Sequence, residues 1–196
     1  MIHPPITHLL YLHGFRSSPA STKARLVCAH LARMQPQVNV WCPQLPPSPR
    51  AALELVLQGT ADWPSEGMAV IGSSLGGFYA TIVSQTRRCR AALLNPAVDP
   101  ARDLAKYIGE HSSWHNAEET FFFRAEFVDE LRAMTLGVLP APELIYALIA
   151  QGDEVLDWRE MHARYQNCRL RVLPGSDHAI SDFEQYLSEV LREIGL

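Results

Sequence analysis

The chain has 196 residues, 47% of them hydrophobic and 19% charged, with a formal net charge of −4. That length suits one folded domain whose core needs no disulfide or metal to hold it, and the composition excludes a disordered chain. No dense run of Lys and Arg is present, which argues against nucleic-acid binding; Arg87, Arg88 and Arg90 read as the solvated end of a helix.

In chain order, short apolar runs alternate with helical patterns. Thr7–Leu12 reads as a buried strand ending at His13-Gly14. A Ser- and Pro-rich loop then supplies caps for a helix over Lys23–Met34. Val38–Trp41 is a second strand, and Pro43-Gln44-Leu45-Pro46-Pro47 forces an extended loop, since each proline restricts its predecessor. Next come a helix over Arg50–Gln58, a strand over Met68–Ile71, a helix over Leu75–Gln85 and a strand over Ala91–Leu94 ending at Asn95-Pro96. From about 100 to 142 the alternation stops and no strand pattern is visible. Phe123, Phe127, Leu131 and Met134 lie near one helical face there, so the segment reads as a small, cap-like helical insertion. A strand over Leu144–Ala150, a helix over Asp157–Tyr165, a strand over Leu170–Leu173 and a closing helix over Ile180–Ile194 complete the chain.

This alternation predicts an α/β fold: a mostly parallel sheet of about six strands with helices on both faces, in one domain over residues 1–196. Functional groups in such sheets gather at the carboxyl ends of the strands. The sharpest motif lies at one such end. Gly72-Ser73-Ser74-Leu75-Gly76-Gly77 joins a strand to a helix and carries glycine two positions either side of Ser74, the pattern of a nucleophile elbow. Glycine leaves room for the tight turn, and the helix N-terminus behind it favours developing negative charge. Ser73 lacks the symmetric flanks and is assigned to support.

A serine nucleophile needs a base, and His178 follows the last strand. His3, His8, His30 and His162 fall in terminal, strand or helical segments; His111 and His115 lie in the insertion; His13 is expected to order its own loop. The acid is expected after the preceding strand, where Asp153 is the first carboxylate. Asp157 is the reserve and reads better as a helix N-cap, Glu154 is third, and Asp177 adjoins His178. The order Ser, acid, His fits this elbow. Backbone N–H groups of Leu75 and Phe15 are the expected oxyanion donors. Trp114, Phe121 and Phe122 are candidates to roof the acyl site.

Cys28, Cys42, Cys89 and Cys168 are scattered and form no CxxC pair, so they read as free thiols, with no zinc site. Neither a signal-peptide pattern nor an apolar run of membrane-spanning length is seen, so the expectation is a cytoplasmic protein.

Several segments together resemble the small bacterial esterases of the YqiA/YcfP family, within the α/β-hydrolases. They are Tyr11-Leu12-His13-Gly14-Phe15, Ser17-Ser18-Pro19, Pro43-Gln44-Leu45-Pro46-Pro47 and Gly72-Ser73-Ser74-Leu75-Gly76-Gly77. Asn95-Pro96-Ala97-Val98, Gly152-Asp153-Glu154-Val155-Leu156-Asp157, His178-Ala179 and Phe183-Glu184 complete the match, which covers the chain nearly end to end. The resemblance implies a cofactor-free serine esterase acting on short acyl esters, with Ser74, Asp153 and His178 as its triad. Ile180 departs from it, since such proteins often carry an aromatic residue there, and the insertion around Glu110 to Glu119 is variable in them. The expected partner is a small-molecule ester, for a monomer or homodimer that binds neither nucleic acid nor membrane. An acyl thioesterase, a serine peptidase and a non-catalytic binding protein on a hydrolase scaffold are the alternatives.

Overall fold

Leu9, Leu10, Tyr11 and Leu12 are all buried, so the first strand has no solvated face, as a central strand of a parallel sheet requires. A computed structural model describes residues 4–112 and 120–196. Its elements run β1 (His8–Leu12), α1 (Thr22–Met34), β2 (Asn39–Trp41), α2 (Pro49–Gly59), β3 (Met68–Ser73), α3 (Leu75–Arg87), β4 (Arg90–Leu94) and α4 (Pro100–Leu104). There follow β5 (Gly109–Ser112), β6 (Thr120–Phe123), α5 (Ala125–Met134), β7 (Ile145–Ala150), α6 (Trp158–Tyr165), β8 (Arg169–Leu173) and α7 (Leu187–Glu193).

Six strands form one sheet in the order β2-β1-β3-β4-β7-β8, with every neighbouring pair parallel. Alternate residues point to opposite faces. Leu10, Leu12, Val70, Leu93 and Ile149 pack in one core with residues of α2, α3, α5 and α6. Leu9, Tyr11, Ile71, Leu94 and Leu148 pack in the other with α1 and α7. From β1 the chain steps outward to β2, and from β3 it steps the other way to β4. The loops after β1 and β3 therefore diverge, leaving a crevice at the carboxyl edge of the sheet.

Three expectations need correction. Segment 100–142 carries α4 and α5, but it also contains the antiparallel pair β5–β6, in register from Gly109↔Phe123 to Ser112↔Thr120. These strands are four residues each and pair with each other, so no alternating pattern accumulates, and the Phe run merges with the helical spacing of α5. The closing helix is also shorter than expected: Ile180 takes a φ of 47°, and α7 begins only at Leu187. At the end of α3, Arg88 is a left-handed cap, while Arg87 donates to Ala61 O and Trp63 O and Arg90 to Ile194 O. Two of the three arginines read as solvated thus tie down backbone.

Candidate active site

Ser74 stands in the turn between β3 and α3 with φ 56° and ψ −121°, a conformation rare for any residue but glycine. Its N–H donates to Leu94 O at 3.0 Å, and its carbonyl accepts from Gly77 and Ala97 at 2.9 and 3.0 Å. The turn closes only with glycine on both flanks. A Cβ on Gly72 would lie 2.2 Å from Gly76 O, and one on Gly76 would lie 2.0 Å from Leu12 O.

His178 and Asp153 meet Ser74 in a continuous chain of hydrogen bonds. His178 Nε2 is 3.0 Å from Ser74 Oγ, and His178 Nδ1 is 2.8 Å from Asp153 Oδ2. The Asp153 side chain is fully buried, and its other oxygen accepts the N–H groups of Val155 and Leu156, both at 2.8 Å. That anchoring aims the free oxygen at the ring. The other carboxylates do different things. Asp157 caps α6 through the Arg159 N–H at 2.9 Å, as its position suggested. Glu154 accepts the backbone N–H of His178 at 3.0 Å. Asp177 accepts from Ser181 Oγ and N, and that hydroxyl holds its carboxyl below the usual range.

The loop after β1 lies against Ser74. A Cβ on Gly14 would sit 3.2 Å from Ser74 Cβ. Among the described residues, neither the Phe15 nor the Leu75 N–H has a protein acceptor. His13 is buried and orders this loop as expected: its Nε2 accepts the Leu45 N–H at 3.1 Å, so Nδ1 carries the proton and donates to Gly14 O at 3.0 Å.

Ser74, Leu75, Phe15 and His178 open on a cavity of about 720 Å³. It crosses the carboxyl edge of the sheet. One side is walled by Leu104, Tyr107 and Leu156, the other by Tyr11, Lys23 and Ile180. The expected aromatic roof differs in its residues. Phe121 stacks edge-on against Phe15 at 5.8 Å and reaches the site through that ring, without lining the cavity. Phe122 points the other way from the ribbon and is 56% exposed; adjacent residues of a strand face opposite sides. Trp114 lies outside the described residues. Tyr107, which sequence reading passed over, stands 5.7 Å from Phe15 and lines the cavity. Asn95 was named only as a strand end and within the Asn95-Pro96-Ala97-Val98 segment of the resemblance, with no role assigned to it. It is wholly buried at φ 42°, and its amide touches the backbone of His178.

Among the described residues no group of three or more His, Cys, Asp or Glu side chains could hold a metal ion, and no helix is long and apolar enough to cross a membrane.

A model of the uncharacterised protein family UPF0227 matches residues 8–193. The chain belongs to that family. UPF0227 is the YqiA/YcfP family whose motifs the sequence resembles. Solved structures similar to this UPF0227 chain include one of the metagenome-derived lipolytic enzymes LipS and LipT, at 16% identity and a TM-score of 0.74 over 97% of this chain and 95% of that one. Est1E from Butyrivibrio proteoclasticus, solved with ferulic acid bound, matches at 15% identity and 0.66 over 97% and 90%. α/β-Hydrolase domain-containing protein 10 from mouse matches at 14% and 0.69 over 95% and 90%. At these identities the likeness establishes the α/β-hydrolase fold of the UPF0227 chain.

Proposed function

We propose that this protein is a serine hydrolase that cleaves carboxylic esters of small molecules. The observation that carries the reading is the unbroken hydrogen-bond chain Ser74–His178–Asp153, opening on the cavity. Asp153 would hold the ring with its proton on Nδ1, leaving Nε2 free to take the serine proton. Ser74 Oγ would then attack the ester carbonyl, forming a tetrahedral oxyanion held by the Phe15 and Leu75 N–H groups. Each such donor is worth about 3 kcal/mol. His178 would pass the proton to the leaving alkoxide, and the acyl group would remain on Ser74. Water, deprotonated by His178, would release the acid and restore the serine.

The esterase names of structural neighbours agree with this chemistry, and one of them was solved with ferulic acid bound. The cavity walls mix Arg16, Lys23 and Lys106 with Asp103 and Glu154, so no uniformly positive surface favours a phosphate-bearing thioester over a simple ester. Hydrolysis of p-nitrophenyl esters, from acetate through decanoate, tests the reading. Turnover that vanishes in Ser74→Ala is expected, with a chain-length profile set by the cavity. Full activity in Ser74→Ala would overturn it.

A further inference from the structure

The His178 ring is aimed by a loop, and that loop is strained. Ser176 and Ile180, on either side of it, have φ of 62° and 47°. Ile180 is β-branched and almost wholly buried, the kind of side chain least suited to the left-handed region. Such a conformation persists where surrounding contacts over-determine it.

Those contacts come from other elements of the fold. Asn95, just beyond β4, donates through Nδ2 to the carbonyl oxygens of Asp177 and His178, at 3.0 and 3.1 Å. Its Oδ1 accepts the Ala150 N–H at 2.8 Å, at the end of β7. One buried amide thus joins two strand ends to the histidine loop. Lys23, in the first turn of α1, donates through Nζ to the next carbonyl, that of Ala179. Glu154 takes the His178 N–H. Successive carbonyls of residues 177, 178 and 179 therefore all end on side-chain donors from outside the loop.

We propose that Asn95 and Lys23 are positioning residues that hold the loop 177–179 so that the His178 ring spans Asp153 and Ser74. The consequence for rate rests on the serine-hydrolase reading; the consequence for ring geometry does not. A buried amide must find partners for each of its groups, and here the available partners include the two peptides flanking the His178 Cα. An ammonium kept largely out of water is costly without compensation. Burial pushes the Lys23 amine down to about 8, against the pull of Asp177 from the histidine loop and Asp153 from the loop after β7. His178, Tyr11, Arg16 and Glu154 line the same cavity as Lys23. The bond to Ala179 O is charge-assisted while Lys23 is protonated and weakens when it is not.

Two readouts test the proposal on Asn95→Asp, Asn95→Ala, Lys23→Met and Lys23→Arg. The first is the low-field proton resonance of the His178–Asp153 hydrogen bond, assigned by its loss in His178→Gln. The second is the rate of Ser74 labelling by a fluorophosphonate as a function of pH. Asn95→Asp keeps the size and the acceptor but removes both donors. The folded variant should lose the resonance and label on the order of 100-fold more slowly, the cost of misplacing a reacting group by about 1 Å. Wild type should label more slowly as pH passes about 8. Lys23→Arg should keep neutral-pH labelling and lose that decline, and Lys23→Met should be slow throughout with no step. Folded Asn95 variants that keep the resonance and label within about twofold of wild type would overturn the proposal. So would Lys23 variants that both follow the wild-type pH profile. If the Asn95 variants do not fold, the Lys23 pair decides. If wild type neither hydrolyses esters nor labels, the hydrolase reading fails, and the resonance decides the positioning by itself.

Discussion

Replacing Asp153 by Asn tests the tautomer argument with little other disturbance. Asp153 Oδ1 accepts two backbone N–H groups, from Val155 and Leu156, and an amide oxygen can accept both. The side chain therefore stays in place, and its NH₂ group replaces Oδ2 opposite His178 Nδ1, now 2.8 Å away. A nitrogen facing an NH₂ must accept, so the ring proton moves to Nε2, which stands 3.0 Å from Ser74 Oγ. A protonated Nε2 cannot take the serine proton. The Asp153 side chain is wholly buried, so water does not replace the lost carboxylate. The corresponding change in a serine protease triad costs about 10⁴-fold in kcat, or about 5 kcal/mol at 1.36 kcal/mol per tenfold. The assay is kcat on p-nitrophenyl butyrate, with thermal melting as the control for folding. Expected is a drop of about 10⁴-fold with a nearly unchanged melting temperature. A folded Asp153→Asn keeping more than about a tenth of wild-type kcat would refute the reasoning.

Gly76→Ala places a Cβ 2.0 Å from Leu12 O, so β1 and α3 must separate. Overpacking of this kind costs about 1–3 kcal/mol, which lowers the melting temperature by roughly 2–12 °C in a chain of this size; an unchanged melt would contradict the close approach. The cysteines set an alkaline limit. Burial pushes the Cys42 and Cys89 thiols up to about 12 and that of Cys168 up to about 11. Their stabilising contribution is complete below the ordinary thiol value of about 8.5 and is lost as pH rises toward those native values, because the unfolded chain sheds those protons first. Lys23, with its value lowered, acts in the opposite sense between about 8 and its unfolded value, but it is one group against four, since burial raises the Cys28 thiol as well. The urea midpoint should fall as pH is raised above about 9, and Cys89→Ala should make the fall shallower. A flat or rising midpoint would contradict it.

The central strands of the sheet were legible because they are buried on both faces. Met68–Ile71 and Ala91–Leu94 are near-continuous apolar runs, and the structure extends them by one or two residues into β3 and β4. The placement of Ser74 and Asp153 at strand ends was legible because each sits just past such a run, and glycines mark the elbow; His178 follows β8, an edge strand of alternating exposure with only Leu173 buried, and its place was read from chain order instead. The ribbon β5–β6 was not legible, because its pairing is local, short and antiparallel in a region where Phe123 falls in phase with the helical stripe of Phe127, Leu131 and Met134. The same ribbon turns Phe122 to solvent, and helical spacing did not reveal it. Asn95 and Lys23 were hidden for a different reason. Asn95 meets partners 82 and 83 residues away, and Lys23 meets one 156 residues away. Locally the first is an Asn-Pro after a strand and the second an ordinary start of a helix. Their partners are backbone carbonyls, which carry no side-chain identity to match against.

The central claim is that Ser74 is an activated nucleophile. Fluorophosphonate labelling followed by mass spectrometry of the peptide containing Ser73 and Ser74 tests it directly. The account predicts a single adduct on Ser74, formed by wild type and absent from Ser74→Ala and His178→Gln. An adduct on Ser73, or equal labelling of the His178→Gln variant, would contradict it.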